Sequence, residues 1–260
     1  NSGPGFSRNR GIEKATGKYI TFVDSDDYFR EDFFSIVSEY LDGELDCLIF
    51  DYEYVDYEGK RLGGGKSIGT DNITTGYVDT KNAFVFAYGS TCGKIYKKSI
   101  IDQYNVRYGE FWRSEDMPFT KHAIAMSKKI FYLPEELYKY VQLETSLMHT
   151  TALTNEKNCQ RAFSMLKASL SNIGFETELK SIELREVLNN SVQIMIMRKD
   201  SYMKVNRYVK RHYTWDHINN KYFKKYPLYV KIISFLIFFR IYPIVPVIGR
   251  YKRWRKAKKV

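Results

Sequence analysis

Three carboxylates fall within four residues at Asp24-Ser25-Asp26-Asp27. Acids held this close cannot all stay ionised without a counter-charge. A hard divalent cation such as Mn2+ or Mg2+ supplies one, prefers oxygen ligands and leaves positions open for phosphate oxygens. The same run is also good turn and N-cap chemistry, so the residue types alone leave both readings open. A second acidic pair, Glu115-Asp116, offers a general base whose pKa is lifted by its neighbour, or simply first-turn acids that favour a helix N-terminus. Arg8 is a cation that could reach a nucleotide or the first Asp; otherwise it is a surface arginine on a helix. His122, His212 and His217 form no ligand cluster and read as ordinary histidines. Cys47, Cys92 and Cys159 are odd in number and far apart, which excludes a disulfide scaffold and a Cys-rich zinc site and fits a reducing compartment.

The first cluster acts only if a strand end presents it. Residues 19–23, Tyr-Ile-Thr-Phe-Val, predict a buried strand that stops abruptly at Asp24. In open α/β sheets, ligands bind outside the carboxyl ends of strands. Residues 5–15 predict a short helix with Phe6, Ile12 and Ala15 on one face and Gly17 as its stop. Residues 31–41 predict a second helix from the spacing of Phe33, Phe34, Val37, Tyr40 and Leu41. A strand over 46–55 and a Gly-rich turn over 59–65 follow, and the alternation continues to about residue 142, which implies an α/β sheet. Beyond it the pattern is helical, over 155–172 and 176–199. No internal repeat is visible.

A chain of 260 residues with 44% hydrophobic and 27% charged residues folds without staples and is not disordered as a whole. It starts at Asn1 with no signal peptide in view. Its net charge of +11 is uneven: residues 201–260 hold 16 Lys/Arg against the single acid Asp216, whereas residues 1–200 hold 25 basic and 29 acidic residues. Residues 226–249 are strongly apolar, and residues 250–260 carry seven Lys/Arg. Lys231, Arg240, Pro243 and Pro246 interrupt the apolar stretch, so a helix lying in the interface of an anionic membrane fits better than a spanning one. The plainer alternative is a helix packed on the protein's own core. No nucleic-acid-binding motif accompanies the basic segment, so no nucleic-acid partner is expected.

The run Gly3-Pro4-Gly5-Phe6-Ser7-Arg8-Asn9-Arg10-Gly11-Ile12, followed by Ala15-Thr16-Gly17-Lys18-Tyr19-Ile20-Thr21-Phe22-Val23-Asp24-Ser25-Asp26-Asp27, resembles the inverting family 2 glycosyltransferases of GT-A fold. Ser7 stands where that family usually has Ala, and Lys18 where it has Glu. Gly93-Lys94-Ile95-Tyr96-Lys97-Lys98-Ser99-Ile100-Ile101 is similar to a second family segment, with Cys92 in place of Trp. Arg113-Ser114-Glu115-Asp116-Met117-Pro118-Phe119 is similar to its Glu-Asp-x-x-Phe motif, and Tyr138-Lys139-Tyr140 with Ser146 to a later one. Where many relatives carry Arg or His before that Ser, this chain has Val141 and Leu143, so a diphosphate contact is missing or comes from His149 or elsewhere. Gly3, Gly5 and Gly11 do not spell a dinucleotide-binding G-x-G-x-x-G. Haloacid dehalogenase phosphohydrolases also place Asp-x-Asp after a strand, with the first Asp as nucleophile, but continue with Gly-Thr or Gly-Val rather than Asp27-Tyr28.

The resemblance implies a GT-A-like, Rossmann-like mixed α/β sheet flanked by helices over 1–150, incomplete at its N-terminus because the family has about 80–90 residues before this point. A helical region over 151–225 and an amphipathic, basic membrane-associating segment over 226–260 follow. It implies transfer of a sugar from a nucleotide-diphosphate donor, UDP-linked, to a saccharide or lipid-linked saccharide with inversion. Asp116 would be the base, with Glu115 beside it. Asp26 and Asp27 would hold Mn2+ or Mg2+, and Arg8, Asp24 and Asp26 the diphosphate. Lys94 would line the acceptor side or be a solvated strand lysine. The setting would be the cytoplasmic face of the plasma membrane, in capsule, exopolysaccharide or cell-wall glycan assembly, and the chain alone would be poorly active. A Mg2+-dependent phosphohydrolase and a non-enzymatic membrane-binding scaffold are the competing expectations.

Overall fold

The computed structural model describes residues 3–111, 114–142 and 156–242. Leu143, Ser146 and His149 lie outside them, as does the segment 243–260 with Pro243, Pro246 and the basic cluster. The chain forms two compact units, residues 1–146 and 147–260.

The first unit is a mixed seven-stranded sheet with helices. Its elements run α1 (Pro4–Lys14), β1 (Tyr19–Thr21), β2 (Tyr28–Phe29), α2 (Phe33–Ser38), β3 (Cys47–Val55), β4 (Arg61–Gly65), β5 (Gly76–Tyr77), α3 (Thr80–Phe86), β6 (Lys94–Lys97), α4 (Lys98–Gln103), α5 (Asp116–Met126) and β7 (Ile130–Val141). The strand order is β1-β6-β3-β7-β2, with β4 on β3 and β5 on β7. Only β3 and β7 run parallel, which requires a long crossover between them. Side chains alternate across β3. Leu48 and Phe50 meet Phe33 and Val37 of α2 together with Leu133, Leu137 and Tyr138 of β7 in one buried cluster. Phe33 is the hinge of that cluster: its ring stacks on Phe29 at 3.9 Å and meets Phe50 edge-on at 5.5 Å.

Several sequence expectations are corrected here. The strand over 19–23 keeps only three half-buried residues, because β1 ends the strand order and pairs on one side alone, with β6. Beyond it Phe22 turns into the core while Val23 is half exposed. The helix over 31–41 shortens to α2, and Phe34 faces solvent. Phe6 is likewise exposed, and α1 buries Gly5 and Ile12 instead. The Gly-rich turn expected over 59–65 is a turn only as far as Gly59, at φ 82° with its N–H donating to the Asp56 carbonyl; beyond it Gly63, Gly64 and Gly65 belong to β4 and pair with Tyr54, Glu53 and Tyr52. A Cβ at Gly65 would run into the Tyr52 ring, so glycine there is required by what lies over the strand rather than by a turn.

The second unit is helical: α6 (Glu156–Ser169), α7 (Glu176–Ile182) continuing through a π-helical turn (Glu183–Leu188) into α8 (Asn189–Met197), then α9 (Tyr202–His212), α10 (Trp215–Ile218) and α11 (Leu228–Phe238). Its interior is knit by polar pairs. Asn189 donates to Ser234 Oγ at 2.9 Å and accepts from the Tyr213 hydroxyl at 2.7 Å, and the Tyr226 and Ser181 hydroxyls lie 2.7 Å apart. No helix among the described residues is long and apolar enough to cross a membrane.

Phe33→Ala removes a fully buried ring from the first unit. It should lower that unit's unfolding free energy by about 3–5 kcal/mol in urea titration followed by fluorescence.

Candidate active site

Helix α1 starts where Gly3 adopts φ 87° and Pro4 fills the first helical turn. Its first residues sit tight against segment 108–109: a Cβ at Gly5 would lie 2.9 Å from the Gly109 carbonyl. Asn9 fixes the same contact like a strand partner. Its Nδ2 donates to the Tyr108 carbonyl at 3.1 Å and its Oδ1 accepts from the Tyr108 N–H at 2.9 Å. Arg8, the neighbouring residue, is thereby aimed into the unit, its guanidinium 5.4 Å from the centre of the Tyr108 ring.

That guanidinium joins the two acidic motifs. Nη2 donates to Asp24 Oδ1 at 2.7 Å, and Nη1 donates to Glu115 Oε1 at 2.9 Å and to Asp116 Oδ1 at 2.8 Å. Arg8 keeps only 16% of its side chain exposed. Burial alone would lower its pKa, but Asp116 and Asp24 outweigh that and hold it above the ordinary arginine value.

Glu115 and Asp116 open α5, where the helix dipole favours negative charge. Burial raises the pKa of both acids; Asp116 adds to the rise at Glu115, while the charge of Arg8 opposes it at each. Asp116 keeps 28% of its side chain exposed, whereas Glu115 is buried. Ser114, immediately before the pair, holds φ 64°, a left-handed conformation that costs a non-glycine residue about 1 kcal/mol.

The other half of the Asp cluster is held by β7. Asp27 closes the turn by donating its N–H to the Asp24 carbonyl at 3.1 Å. Its carboxylate accepts from the Tyr138 hydroxyl at 2.6 Å and from the Val141 N–H at 2.8 Å. Tyr138 also accepts from the Asp24 N–H at 3.2 Å and lies 3.2 Å from Cys92 Sγ. Burial pushes the Cys92 thiol up to about 12. Burial likewise lifts Asp27 to about 6; the two donors pull it down, and the charges of Asp26 and Asp24 push it up. Asp26 is exposed and hydrogen-bonds to no described residue.

The structure therefore gathers Arg8, Asp24, Glu115 and Asp116 around one guanidinium and ties Asp27 to Tyr138. Lys94 is not solvated: it is fully buried, and its Nζ donates to the Ser90 carbonyl at 2.7 Å. His217 is a structural residue, buried with Nε2 3.2 Å from Glu183 Oε2. Asn9, Ser114 and Tyr138 had no role assigned from sequence, although each lies inside a motif noticed there.

As to metal, the oxygen donors fit Mn2+ or Mg2+. Asp26 is available, and Asp27 lacks a cationic partner among the described residues. No three His, Cys, Asp or Glu side chains among the described residues converge into a cage. Mn2+ and Mg2+ are commonly bound by one or two carboxylates and keep other positions for water and phosphate oxygens.

Arg8→Ala would leave three acids facing one another. It should destabilise the first unit by about 3–5 kcal/mol at pH 8. The loss should be smaller at pH 5, where carboxylates of raised pKa take up protons and relieve the repulsion; thermal melts at the two pH values measure the difference.

Residues 1–105 match the family described as Glycosyl transferase family 2, a match that ends before Glu115-Asp116. Among curated relatives, EpsH of Bacillus subtilis is 29% identical over 149 residues, covering 54% of this chain and 42% of EpsH. Glycosyltransferase GlyA of Streptococcus pneumoniae is 26% identical over 201 residues, covering 74% of this chain and 29% of GlyA. The chain thus spans less than half the length of these relatives. The crystal structure of Staphylococcus aureus TarS 1-349 in complex with UDP-GlcNAc superposes with a TM-score of 0.64 at 18% identity, covering 97% of this chain and 72% of that one. The shared fold is the GT-A mixed sheet flanked by helices. The Arg-Asn helix and the Asp24–Asp27 turn both lie within residues 1–105, the part of the chain that is similar to glycosyl transferase family 2.

Proposed function

We propose that the protein transfers a sugar from a nucleotide-diphosphate donor to the hydroxyl of a saccharide or lipid-linked saccharide, with inversion, in the assembly of a bacterial surface polysaccharide. The observation that carries this reading is the Arg8 guanidinium, which places the donor-side Asp24 and the Glu115–Asp116 pair on a single group. UDP-GlcNAc in the TarS structure favours a UDP-linked donor. The similarity of residues 1–105 to glycosyl transferase family 2, together with the GT-A fold, speaks against the phosphohydrolase reading.

Inverting transfer is one displacement at the anomeric carbon. Asp116, the more open of the pair, takes the proton from the attacking hydroxyl, and burial gives it the raised basicity that task needs. Glu115 orients Arg8 by accepting from its Nη1. Asp26 and Asp27 hold Mn2+ or Mg2+, and Asp24 with Arg8 borders the diphosphate. The ion, when bound, neutralises charge developing on the leaving nucleoside diphosphate. The basic C-terminal region keeps the protein at the cytoplasmic face of the plasma membrane, peripheral rather than spanning.

Calorimetric titration of UDP into the full-length protein, with and without Mn2+, tests the donor side. Asp26→Ala should lose the metal-dependent part of binding; equal binding by the variant would remove the metal role. Asp116→Asn should cut transfer by about 10²–10⁴-fold while Mn2+-dependent UDP binding is retained, and unimpaired transfer would exclude Asp116 as base.

The pH dependence has a definite sign. The raised pKa of Asp27 means that the apo fold keeps a proton there that the unfolded chain loses above pH 3.8. Apo stability from this group is therefore full below the unfolded value and falls as pH rises to about 6. Metal needs the ionised form, so Mn2+-dependent UDP affinity should rise with pH through about 6, and Asp27→Asn should abolish that rise.

A further inference from the structure

Helix α11 has two apolar faces with different fates. Val230, Ile233, Ser234 and Ile237 are buried, and Ser234 accepts from Asn189 of α8, so this face belongs to the second unit's own core. Leu228, Ile232, Phe235 and Phe239 recur at helical spacing on the other side and are 69%, 40%, 41% and 63% exposed. The row continues sideways through aromatic contacts: Phe239 meets Phe238 at 5.3 Å, and Phe238 meets the half-exposed Trp215 at 5.7 Å. An open hollow of about 470 Å³ lies at this junction, lined by Tyr213, Trp215 and Phe239 and by two cations, Lys210 and Arg240.

The charges here are one-sided. Neither Lys210 nor Arg240 makes an ion pair with a described residue. Asp216, the single acid of residues 201–260, is taken by Lys180 at 2.7 Å. Lys224, Lys225 and Lys231 flank the row. Arg240 also sits at a conformational cost. It is the residue after the α11 C-cap, at φ 64°, with the Ile241 N–H bonded to the Leu236 carbonyl and its own N–H to that of Ile237. That helix ending favours glycine. A cation at a helix C-terminus gains something from the dipole, but an arginine is the stiffer choice for this backbone.

We infer that this face is the part of the second unit that rests on an anionic bilayer: the outer row of α11 and Trp215 enter the interface, and the hollow takes a lipid headgroup phosphate between Lys210 and Arg240. The inference rests on the peripheral-membrane reading above and narrows it to one surface. Charge complementarity selects an anionic partner, and an exposed row of Leu, Ile and Phe with a Trp beside it selects lipid over a soluble polyanion. The seven Lys/Arg of residues 250–260 add long-range attraction.

The test is co-sedimentation of the full-length protein with phosphatidylcholine vesicles, with and without phosphatidylglycerol, at low and high salt. Three variants are compared: Leu228→Glu with Phe239→Gln, Arg240→Gly, and Gln at all seven basic positions of the tail. Wild type should bind the phosphatidylglycerol vesicles, with a salt-resistant fraction. The helix double variant should lose at least about tenfold in partitioning, including that fraction. Arg240→Gly should bind several-fold more weakly yet melt at higher temperature, because glycine relieves the left-handed backbone; a merely structural arginine would not separate the two readouts this way. The tail variant should bind less but keep the salt-resistant part. If the tail variant loses all binding while the other two bind like wild type, membrane association stands and this surface assignment falls. If wild type binds no vesicle, both fall. If the helix double variant instead dissociates a dimer in analytical ultracentrifugation, a second copy covers the row and the inference is overturned.

Discussion

One buried guanidinium facing three carboxylates is the constraint around which the first unit is arranged. At about 4 Å and an effective dielectric near 20, each such contact is worth roughly 4 kcal/mol before desolvation is subtracted. A single cation against Asp24, Glu115 and Asp116 leaves an excess of negative charge; burial first, and the neighbouring acids second, raise the pKa values of Glu115 and Asp116. The arrangement holds only because α1 is locked. Gly5 lets the helix approach the Gly109 carbonyl, and Asn9 pairs with Tyr108 on both of its backbone polar groups. The Arg-Asn dipeptide thus does two separate jobs, one electrostatic and one positional.

The sheet supplies the opposite wall. β7 is the long parallel neighbour of β3 and is also the strand on which β2 pairs. Tyr138 of β7 reaches the turn between β1 and β2, so the acids after β1 are fixed from the far side of the strand order rather than by their own short strand. Burial of Tyr138 in the cluster with Phe33 and Phe50 links core packing to the geometry of Asp27.

What the sequence made legible were the features written locally. The Asp24–Asp27 turn, helix α1, the acids at the start of α5 and the helical second half are each carried by residues a few positions apart. What it hid were relations between distant segments. Nothing near Arg8 announces contacts with residues 107 and 108 positions away. Gly63–Gly65 read as a turn because glycine usually marks one; the Tyr52 ring that requires glycine at Gly65 comes from another strand. Lys94 could be read as lining the acceptor side or as solvated; the structure buries it, with its Nζ donating to the Ser90 carbonyl. The apolar run of α11 was one feature in sequence, and only packing separates the face turned inward to Asn189 from the row turned outward.

The shared guanidinium has a consequence for how the two halves of the recess communicate. A counter-ion divided between two motifs makes them thermodynamically linked: whatever neutralises Asp24 leaves more of the Arg8 charge for Asp116, and whatever protonates Asp116 returns it to Asp24. Such linkage is reciprocal, so the occupancy of one side must alter the affinity of the other by an equal factor. Ordered binding and mutual sensitivity would then come from electrostatic bookkeeping within a rigid recess, with no hinge or domain rotation required.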